Sequence, residues 1–372
     1  AVELCTGIGA CRKTRQGTMC PSYLATRDEE HSTRGRANAL RLAITGQLGP
    51  DGLSSDRLFE TMSLCLACKA CKSECPSHVD MAKLKGEFLQ KYHDKHGATL
   101  RDRVIARSGE MASLLSGWPA PFVNRLQKTG FFLGMLEKWA GFDRRRTLPE
   151  YAREPFPVWF ERRSRSGIDC AGDAMRVEAK EDSEPRRVVL FDDVYMNYHE
   201  PHVGRAAVEL LESCGFEVVL ARAGESQRPR ISRGFLREAR RRGEKTLRAL
   251  DVFIQQGLKV VVCEPSCASA LTDDLPDLID DEELAARIQE NVMMIDVFLN
   301  REVEAGRLKT DFVSPYKEIV LHPHCHQESL YGVDSMTALL SRVPGLSARK
   351  LESGCCGMAG AFGHEKEHYD LS

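Results

Sequence analysis

Four cysteines in the segment CLACKACKSECP are spaced as ligands of an inorganic cluster. Cys65, Cys68, Cys71 and Cys75 follow the pattern C-x2-C-x2-C-x3-C-P, the spacing of cysteine runs that bind cubic iron–sulfur clusters. Three thiolates on one tight loop wrap three irons of a cube, and the fourth turns toward a second cluster. A structural zinc site is the alternative, but zinc usually takes two ligand pairs separated by a longer insert. The spacing therefore favours iron and sulfur.

A second group of cysteines, Cys5, Cys11 and Cys20, precedes this run. In proteins with two such clusters, the cysteine that precedes proline in each run binds the cluster of the other run. Cys20 precedes a proline, so the exchange predicts that it completes the cluster of the first three cysteines of the run above. The second cluster then receives Cys5, Cys11 and Cys75.

Ile8 stands midway between Cys5 and Cys11, where a third cysteine would be expected. With Cys75 the second cluster has three thiolates, which suits a [3Fe–4S] cube that lacks one corner. The alternative is a second [4Fe–4S] cube with a ligand other than cysteine, such as His31 or water. We favour the three-iron form and keep the alternative open.

A third group of cysteines follows predicted strands in the C-terminal half. Cys325 lies in HPHCHQ, Cys355 and Cys356 are adjacent in SGCCGMAG, and Cys263 and Cys267 lie in CEPSCAS. Because the carboxyl ends of parallel strands meet at one edge of a sheet, we expect these side chains to converge. A vicinal pair bracketed by glycines favours a metal or redox site over burial in a core.

The remaining cysteines and the nearby histidines are interpreted as supporting residues. Cys170 and Cys214 have no partner motif, and Cys214 ends a predicted helix as a small buried hydrophobic residue. His322, His324 and His326 alternate around Cys325 and are expected to donate hydrogen bonds to thiolates rather than to bind metal.

The elements that position these groups define an α+β multidomain chain. Residues 1–96 predict a helical, ferredoxin-like domain with two clusters, and residues 97–184 predict helices near 99–116 and 121–140 followed by a linker. Residues 185–372 predict an α/β cysteine-rich domain, truncated at its C-terminus. Its predicted strands are RRVVLF, FEVVLA, LKVVVCE, EIVLH and SARKLE, separated by helical stretches that include 232–256 and 282–305.

An internal repeat divides the cysteine-rich domain into two pseudo-repeats. RRVVLFDDVYM aligns with KEIVLHPHCHQ, and GESQRP aligns with GCCGMA. The second repeat carries cysteines where the first has Val194, Glu225 and Ser226. Only the second repeat is therefore expected to bind a cluster.

Composition restricts the location and partners. Charged residues make up 28% of the chain and nearly cancel to a net charge of -2, so nucleic acid is not an expected partner. The chain has no run of 18 or more apolar residues, and its clustered cysteines favour the cytoplasm, where they would bind metal. The segment NRLQKTGFFLGMLEKWAG is amphipathic; we favour packing on a neighbouring domain over a membrane surface.

The cysteine segments together resemble a known family. The stretches CTGIGACRKTRQGTMCPSYLATRDEEHSTRGRA, CLACKACKSECPSHVDMAKLKGEFL and SGCCGMAGAFG are similar to the C-terminal iron–sulfur half of bacterial FAD-linked oxidases that act on D-2-hydroxy acids such as D-lactate or D-2-hydroxyglutarate. The cysteine-rich part also resembles the B subunit of heterodisulfide reductase, glycolate oxidase iron–sulfur subunits and the C subunit of anaerobic glycerol-3-phosphate dehydrogenase.

This resemblance implies an oxidoreductase fragment that transfers electrons. It implies a third cluster held by Cys267, Cys325, Cys355 and Cys356, with Cys263 as a weaker candidate. It also implies an FAD domain or subunit outside this chain, and an acceptor such as a quinone or a soluble carrier. No flavin-binding or catalytic residue is expected here. The alternative is a separate iron–sulfur subunit, and in either form the location is cytoplasmic or peripheral on the inner face of the membrane.

Overall fold

The computed structural model describes most of the chain. The described residues are 2–14, 18–166, 186–308, 312–351 and 353–372. Cys170 and the polar linker predicted after it lie outside them. None of the described helices is long and apolar enough to cross a membrane.

The N-terminal region is helical, and its cysteines form part of its core. Its helices are α1 (Pro21–Thr26), α2 (Thr33–Ile44), α3 (Asp56–Ser63), α4 (Ala70–Glu74) and α5 (Met81–His96). The two longest are α2, which lies between the two cysteine groups, and α5, which follows the second. Ser32 and Asp80 start them by accepting hydrogen bonds from Gly35 N and Lys83 N, which satisfies backbone donors that a helix leaves free. Five cysteines pack in one buried cluster with apolar side chains that include Met19, Leu58 and Phe88.

A second helical region follows, with shorter helices than predicted. It contains α6 (Leu100–Ala106), α7 (Ser108–Leu115), α8 (Ala120–Leu126), α9 (Gly130–Ala140) and α10 (Phe156–Ser166). The helix predicted over 99–116 is divided at Arg107, whose N–H bonds back to Arg103 and Val104 carbonyls. The helix predicted over 121–140 is divided where Thr129 caps α9.

The C-terminal region combines helices with two parallel sheets. Its elements are β1 (Arg186–Leu190), α11 (Val194–Tyr198), α12 (Pro201–Ser213), β2 (Phe216–Leu220), α13 (Arg228–Ser232), α14 (Leu236–Ile254), β3 (Val260–Val262), α15 (Pro265–Ser269), α16 (Glu282–Asn291), β4 (Val292–Met294), α17 (Ile295–Glu304), β5 (Glu318–Leu321), α18 (Asp334–Ser341) and β6 (Ser347–Lys350). One sheet has the order β2-β1-β3-β4, and the other pairs β5 with β6. All five predicted strands are present.

The four-stranded sheet is buried on both faces because its apolar residues are continuous. Val189 and Phe191 face the cluster that contains α14 and α16, whereas Val188 and Leu190 face the cluster that contains α12. Successive residues of a strand point to opposite faces, so one apolar run supplies both cores.

The strand β4 is a difference from the sequence prediction, which placed a single helix over 282–305. Val292, Met293 and Met294 instead pair in parallel with β3, and all three are buried. The helix is therefore interrupted by three residues whose backbone groups complete the sheet, because tertiary pairing outweighs local helix preference.

The two predicted pseudo-repeats share the same local order. In each, a strand, a helical stretch and a parallel partner strand follow one another: β1 pairs with β2, and β5 pairs with β6. The matched strands have equivalent positions in the sequence alignment. The two pseudo-repeats are therefore similar in strand pairing as well as in sequence.

Glu365 joins three separate segments through a buried carboxylate. It is 3% exposed and pairs with Arg233, with Arg101 at 3.6 Å, and with His368 at 3.0 Å. Burial alone would raise its pKa, but the hydrogen bond from His368 and the two guanidinium groups outweigh it and hold the pKa at about 2. The carboxylate therefore fastens the end of the chain to α6 and to the turn after α13.

Replacing Glu365 with glutamine is expected to destabilise the protein by about 3 kcal/mol at pH 7. The pKa of an unfolded glutamate is about 4.3, and a tenfold change in proton affinity corresponds to about 1.4 kcal/mol. A carboxylate with a depressed folded pKa stabilises the protein above the unfolded pKa, and this stabilisation is lost as the pH falls toward about 2. The difference in unfolding free energy between wild type and variant should therefore disappear between about pH 4.3 and pH 2. Urea unfolding, followed by tryptophan fluorescence across this pH range, measures the difference in unfolding free energy.

The matched control is Glu367→Gln, which removes an exposed carboxylate from the same Arg101 side chain. It should change the free energy of unfolding by less than about 1 kcal/mol, because exposed ion pairs contribute little. Equal losses in the two variants would contradict the role given to Glu365.

Candidate metal centres

The first candidate centre is a cavity that four predicted cysteine ligands line together. Cys65, Cys68, Cys71 and the distant Cys20 all border it. Cys20 reaches it because its backbone is the N-cap of α1, directly before Pro21. The structure thus brings together the four thiols that the ligand exchange predicted.

Several donors in this centre point at sulfur. Cys20 Sγ lies 3.2 Å from Thr33 Oγ1 and 3.8 Å from Arg36 Nη1, and Met81 N donates to Cys71 Sγ at 3.4 Å. Arg36 is 1% exposed. Hydrogen bonds and charge next to the sulfurs tune the reduction potential of a cluster. The sequence did not indicate Arg36 as a partner of Cys20, because the helix that presents it had no motif beyond its apolar spacing.

The electrostatics of the first centre suit a bound cationic group. Burial raises the pKa of Cys68 and of Cys71, and the neighbouring thiols raise both further. Burial also raises the pKa of Cys20, so these three thiols resist ionisation unless a metal supplies positive charge, and metal binding releases thiol protons. The donor set therefore fits an iron–sulfur cube, which would be held by these four cysteines.

The second candidate centre involves Cys5, Cys11 and Cys75. Cys5 and Cys11 are buried and belong to the same apolar cluster, against which the partly buried Cys75 packs. Arg34 N donates to Cys11 Sγ at 3.4 Å. Cys11 is also near enough to Cys20 to affect its pKa, which burial raises. The second group of thiols is therefore next to the first.

The N-terminal loop is fastened to the segment that carries Cys75. Thr6 Oγ1 lies 3.2 Å from Ser77 Oγ. Glu74 pairs with Lys13 and accepts from Thr18 N at 2.9 Å and from Met19 N at 3.0 Å. These contacts hold the loop of Cys5 and Cys11 against the end of α4, as the predicted ligand set requires.

Ile8 lies at the surface of this loop. Its side chain is 67% exposed, and the glycines on either side, Gly7 and Gly9, both have positive φ. Arg34 Nη1 donates to Gly7 O at 3.0 Å, so the backbone of the loop is held from α2. His31, the alternative ligand, has its Nδ1 at 2.9 Å from Thr26 Oγ1.

The third candidate centre brings Cys325 and Cys355 together after β5 and β6. Their Sγ atoms are 3.7 Å apart, and Gly357 N donates to Cys355 Sγ at 3.4 Å. The hydrogen bond between them raises the pKa of Cys325 and lowers that of Cys355, because one thiol stabilises the thiolate of the other. Cys356 is exposed. The predicted convergence at a sheet edge is present for this pair.

Cys267 and Cys263 lie on the segment that follows β3. Cys267 Sγ accepts from Ser226 Oγ at 3.0 Å, whereas the sulfur partner of Cys325 within the described part of the chain is Cys355. Burial and the carboxylate of Asp193 raise the pKa of Cys263 to about 12. The segments of Cys267 and Cys325 are in contact, because Ser269 Oγ lies 2.6 Å from His326 Nδ1.

In the first pseudo-repeat, an ion pair occupies the place of the cysteines. Glu225 pairs with Arg230 at 2.8 Å, and Arg230 also pairs with Glu110 at 2.7 Å. Arg230 is 0% exposed, so these carboxylates must offset the cost of burying its charge. This repeat has a buried salt bridge where the other has the predicted metal ligands.

The first and third centres are in direct contact through their loops. His326 Nε2 is 3.2 Å from Ala67 O, and its Nδ1 is 2.6 Å from Ser269 Oγ. Ser329 Oγ donates to Cys68 O at 3.2 Å. Both ring nitrogens of His326 thus have partners in the protein, but these are a carbonyl and a hydroxyl and not the thiolates that the sequence predicted.

Among the described residues, no three His, Cys, Asp or Glu side chains lie close enough together to hold a single metal ion. The cysteines of the first centre instead surround a space. A cube needs its ligands spread around four irons and four sulfides.

Comparison with known proteins identifies the class of the N-terminal segment. Residues 1–79 match the family described as the 4Fe-4S dicluster domain. The match includes all the N-terminal cysteines assigned above, and it supports a 4Fe–4S cluster as a cofactor. No solved structure matches the chain.

Similar proteins cover nearly the whole chain. D-2-hydroxyglutarate dehydrogenase of Escherichia coli (strain K12) is 25% identical over 99% of this chain and 38% of its own length. The C subunit of anaerobic glycerol-3-phosphate dehydrogenase from the same strain is 27% identical over 88% of this chain and 79% of its own. The probable glycolate oxidase iron-sulfur subunit of Bacillus subtilis (strain 168) is 23% identical over 92% and 77%. The resemblance inferred from the cysteine motifs is confirmed, and the chain spans about two fifths of the first relative.

Proposed function

We propose that this chain is the iron–sulfur electron-transfer portion of a flavin-linked oxidoreductase that oxidises a D-2-hydroxy acid. The similarity to D-2-hydroxyglutarate dehydrogenase over 99% of the chain supports this substrate class. A flavin on another domain or subunit would take two electrons from the substrate, and the clusters would pass them singly to a quinone or a soluble carrier. The part that holds the flavin would bind and oxidise the substrate.

The observation that carries this proposal is the contact between the candidate centres. Cys20 joins the cavity of the Cys65 run, the loop of Cys5 and Cys11 is fastened to the same run, and Ser329 holds the backbone of Cys68. This arrangement favours a relay in which the first centre lies between the second and the third. The second would hold a [3Fe–4S] or a [4Fe–4S] cluster, and the third a cluster bound by Cys267, Cys325, Cys355 and Cys356.

The proposal is tested by purifying the chain without oxygen and analysing its metal. We expect a brown protein with iron and acid-labile sulfide, whose visible absorption is bleached by dithionite. The chain alone should not reduce a dye with D-2-hydroxyglutarate, because it has no flavin. A colourless protein that contains zinc would overturn the proposal.

The alternative is a separate iron–sulfur subunit of a glycolate oxidase or anaerobic glycerol-3-phosphate dehydrogenase type. It is favoured by two relatives of which the chain covers 79% and 77%. Their names describe subunits, which implies a flavin-containing partner. Sequencing the gene upstream of residue 1 separates the two, because only a fused enzyme has a flavin domain in the same reading frame.

We further propose that the protein is cytoplasmic and that an aromatic surface binds the membrane peripherally, in place of the packing on a neighbouring domain that the sequence favoured. This surface, formed by Leu114, Trp118, Phe122, Phe131 and Trp139, has side chains that are all more than half exposed, with Trp118 at 92%. No residue of α9 is fully buried, so the described part of the chain covers this helix only in part. Exposed Arg125, Lys128 and Lys138 alternate with it. Aromatic rings with cations suit the interface of an anionic bilayer.

The double variant Trp118→Ser, Phe131→Ser is expected to lose most of its binding to anionic vesicles. Co-sedimentation with phosphatidylcholine vesicles, with and without phosphatidylglycerol, measures it. Val252→Ser, at an exposed apolar residue of α14, is the control and should bind like wild type. If wild type fails to sediment, a protein partner covers the aromatic surface instead.

A further inference from the structure

A lysine with no exposed side-chain surface lies inside the cysteine run. Lys69, between Cys68 and Cys71, has φ 60 and a side chain that is 0% exposed. It borders the same cavity as the four cysteines of the first centre. A left-handed backbone is unfavourable for lysine, so the packing around this residue must hold it in place.

The partners of Lys69 come from a distant part of the chain. Its Nζ lies 2.7 Å from Asp274 Oδ1, pairs also with Asp273, and is 4.0 Å from Asp80. Asp273 and Asp274 end a turn of π-helix, Ala270–Asp274, that continues directly from α15. Such turns interrupt regular helices at functional sites. The segment that carries Cys267 is thereby joined to the cysteine run.

The two aspartates also have other cationic partners. Arg228 pairs with Asp274, whereas Lys72 and Lys83 pair with Asp273. Removing the charge of Lys69 therefore leaves neither carboxylate without a cation. The charge of Lys69 can therefore be removed while Asp273 and Asp274 keep their other ion pairs.

We propose that Lys69 sets the reduction potential of the cluster bound by Cys20, Cys65, Cys68 and Cys71, and that Asp273 limits its effect. This rests on the proposed iron–sulfur function. Reduction adds one negative charge to the cluster. Lys69 lines this cavity, and its buried ammonium group stabilises that charge through a medium that screens it poorly, whereas the Asp273 carboxylate beside the ammonium opposes it.

The test is a redox titration with dithionite, followed by electron paramagnetic resonance, of wild type and four variants. Lys69→Met should lower the midpoint potential of the first centre. Asp273→Asn should raise it, and Lys69→Arg should restore a value close to wild type. Lys245→Met, at an exposed position on α14, is the matched surface control and should leave the potential unchanged. The signal of the second centre should move less than that of the first.

The opposite signs distinguish a charge effect from a structural one. Loosening of the fold would move the potentials of both variants in the same direction, and that result would overturn the proposal, as would an unchanged potential in Lys69→Met with full iron content. If Lys69→Met does not fold, two other variants still test the proposal, because Asp273→Asn should raise the midpoint potential and Lys69→Arg should leave it close to that of wild type. Iron and sulfide analysis of wild type is done first, so a protein without a cluster refutes the proposed function and not the role of Lys69.

Discussion

Replacing Cys20 with serine is expected to remove the cluster of the first centre. Among the described residues that line this cavity, Cys20 is the one thiol from outside the Cys65 run. Its hydroxyl replacement is a poorer ligand for iron, and Arg36 beside it loses its thiolate neighbour. The iron content should fall by about one cube's share, and visible absorption and electron paramagnetic resonance of the reduced protein measure the loss.

Cys214→Ala is the matched control for a buried cysteine. Cys214 lies at the end of α12 in an apolar cluster, and burial raises its pKa to about 11. The loss of its sulfur should cost about 1 kcal/mol of folding free energy and no iron. If Cys20→Ser keeps the full iron content, the exchange of ligands between the two runs is wrong.

The Ile8→Cys variant is expected to convert the second centre from three irons to four. Wild type, oxidised, should give the electron paramagnetic resonance signal of a [3Fe–4S] cube, and the variant should lose most of that signal while gaining iron. The loop should tolerate the change, because Arg34 holds Gly7 through its backbone and Ile8 itself is exposed. The new thiol would restore the spacing of a complete run.

Two controls sharpen this experiment. Ile8→Val should keep the three-iron signal, since it adds no ligand. His31→Ala tests the alternative four-iron cube: a silent oxidised wild type whose spectrum changes in His31→Ala would mean that a histidine fills the position and that our three-iron assignment is wrong.

Local patterns predicted much of the secondary structure and the separate cysteine groups. The apolar runs around Val188 and Val218 form strands because burial on both faces needs continuous apolar residues. The strand Val292–Met294 was missed, since Leu284, Ile288 and Val292 continue a helical spacing and only pairing with β3 makes the segment extended.

The neighbours that tune the candidate centres could not be predicted in the same way. The pair Lys69–Asp274 joins residues 205 positions apart, and the contact of His326 with Ala67 O joins residues 259 apart. No spacing rule relates such residues, because their meeting depends on how the domains pack. The ion pair of Arg230 could not be predicted either. The alignment showed only that the first pseudo-repeat lacks the cysteines, and not which side chains pair in their place.

The burial of Lys69 also has a consequence for the timing of synthesis. The residues that cover it are translated 205 positions later, which at bacterial rates of synthesis takes roughly 10 to 40 s. During that interval the cysteine run is complete, while Asp273 and Asp274, which pair with Lys69, have not yet been made. The Lys69 side of the cysteine run is therefore uncovered in the nascent chain and becomes covered only when the C-terminal half packs against it.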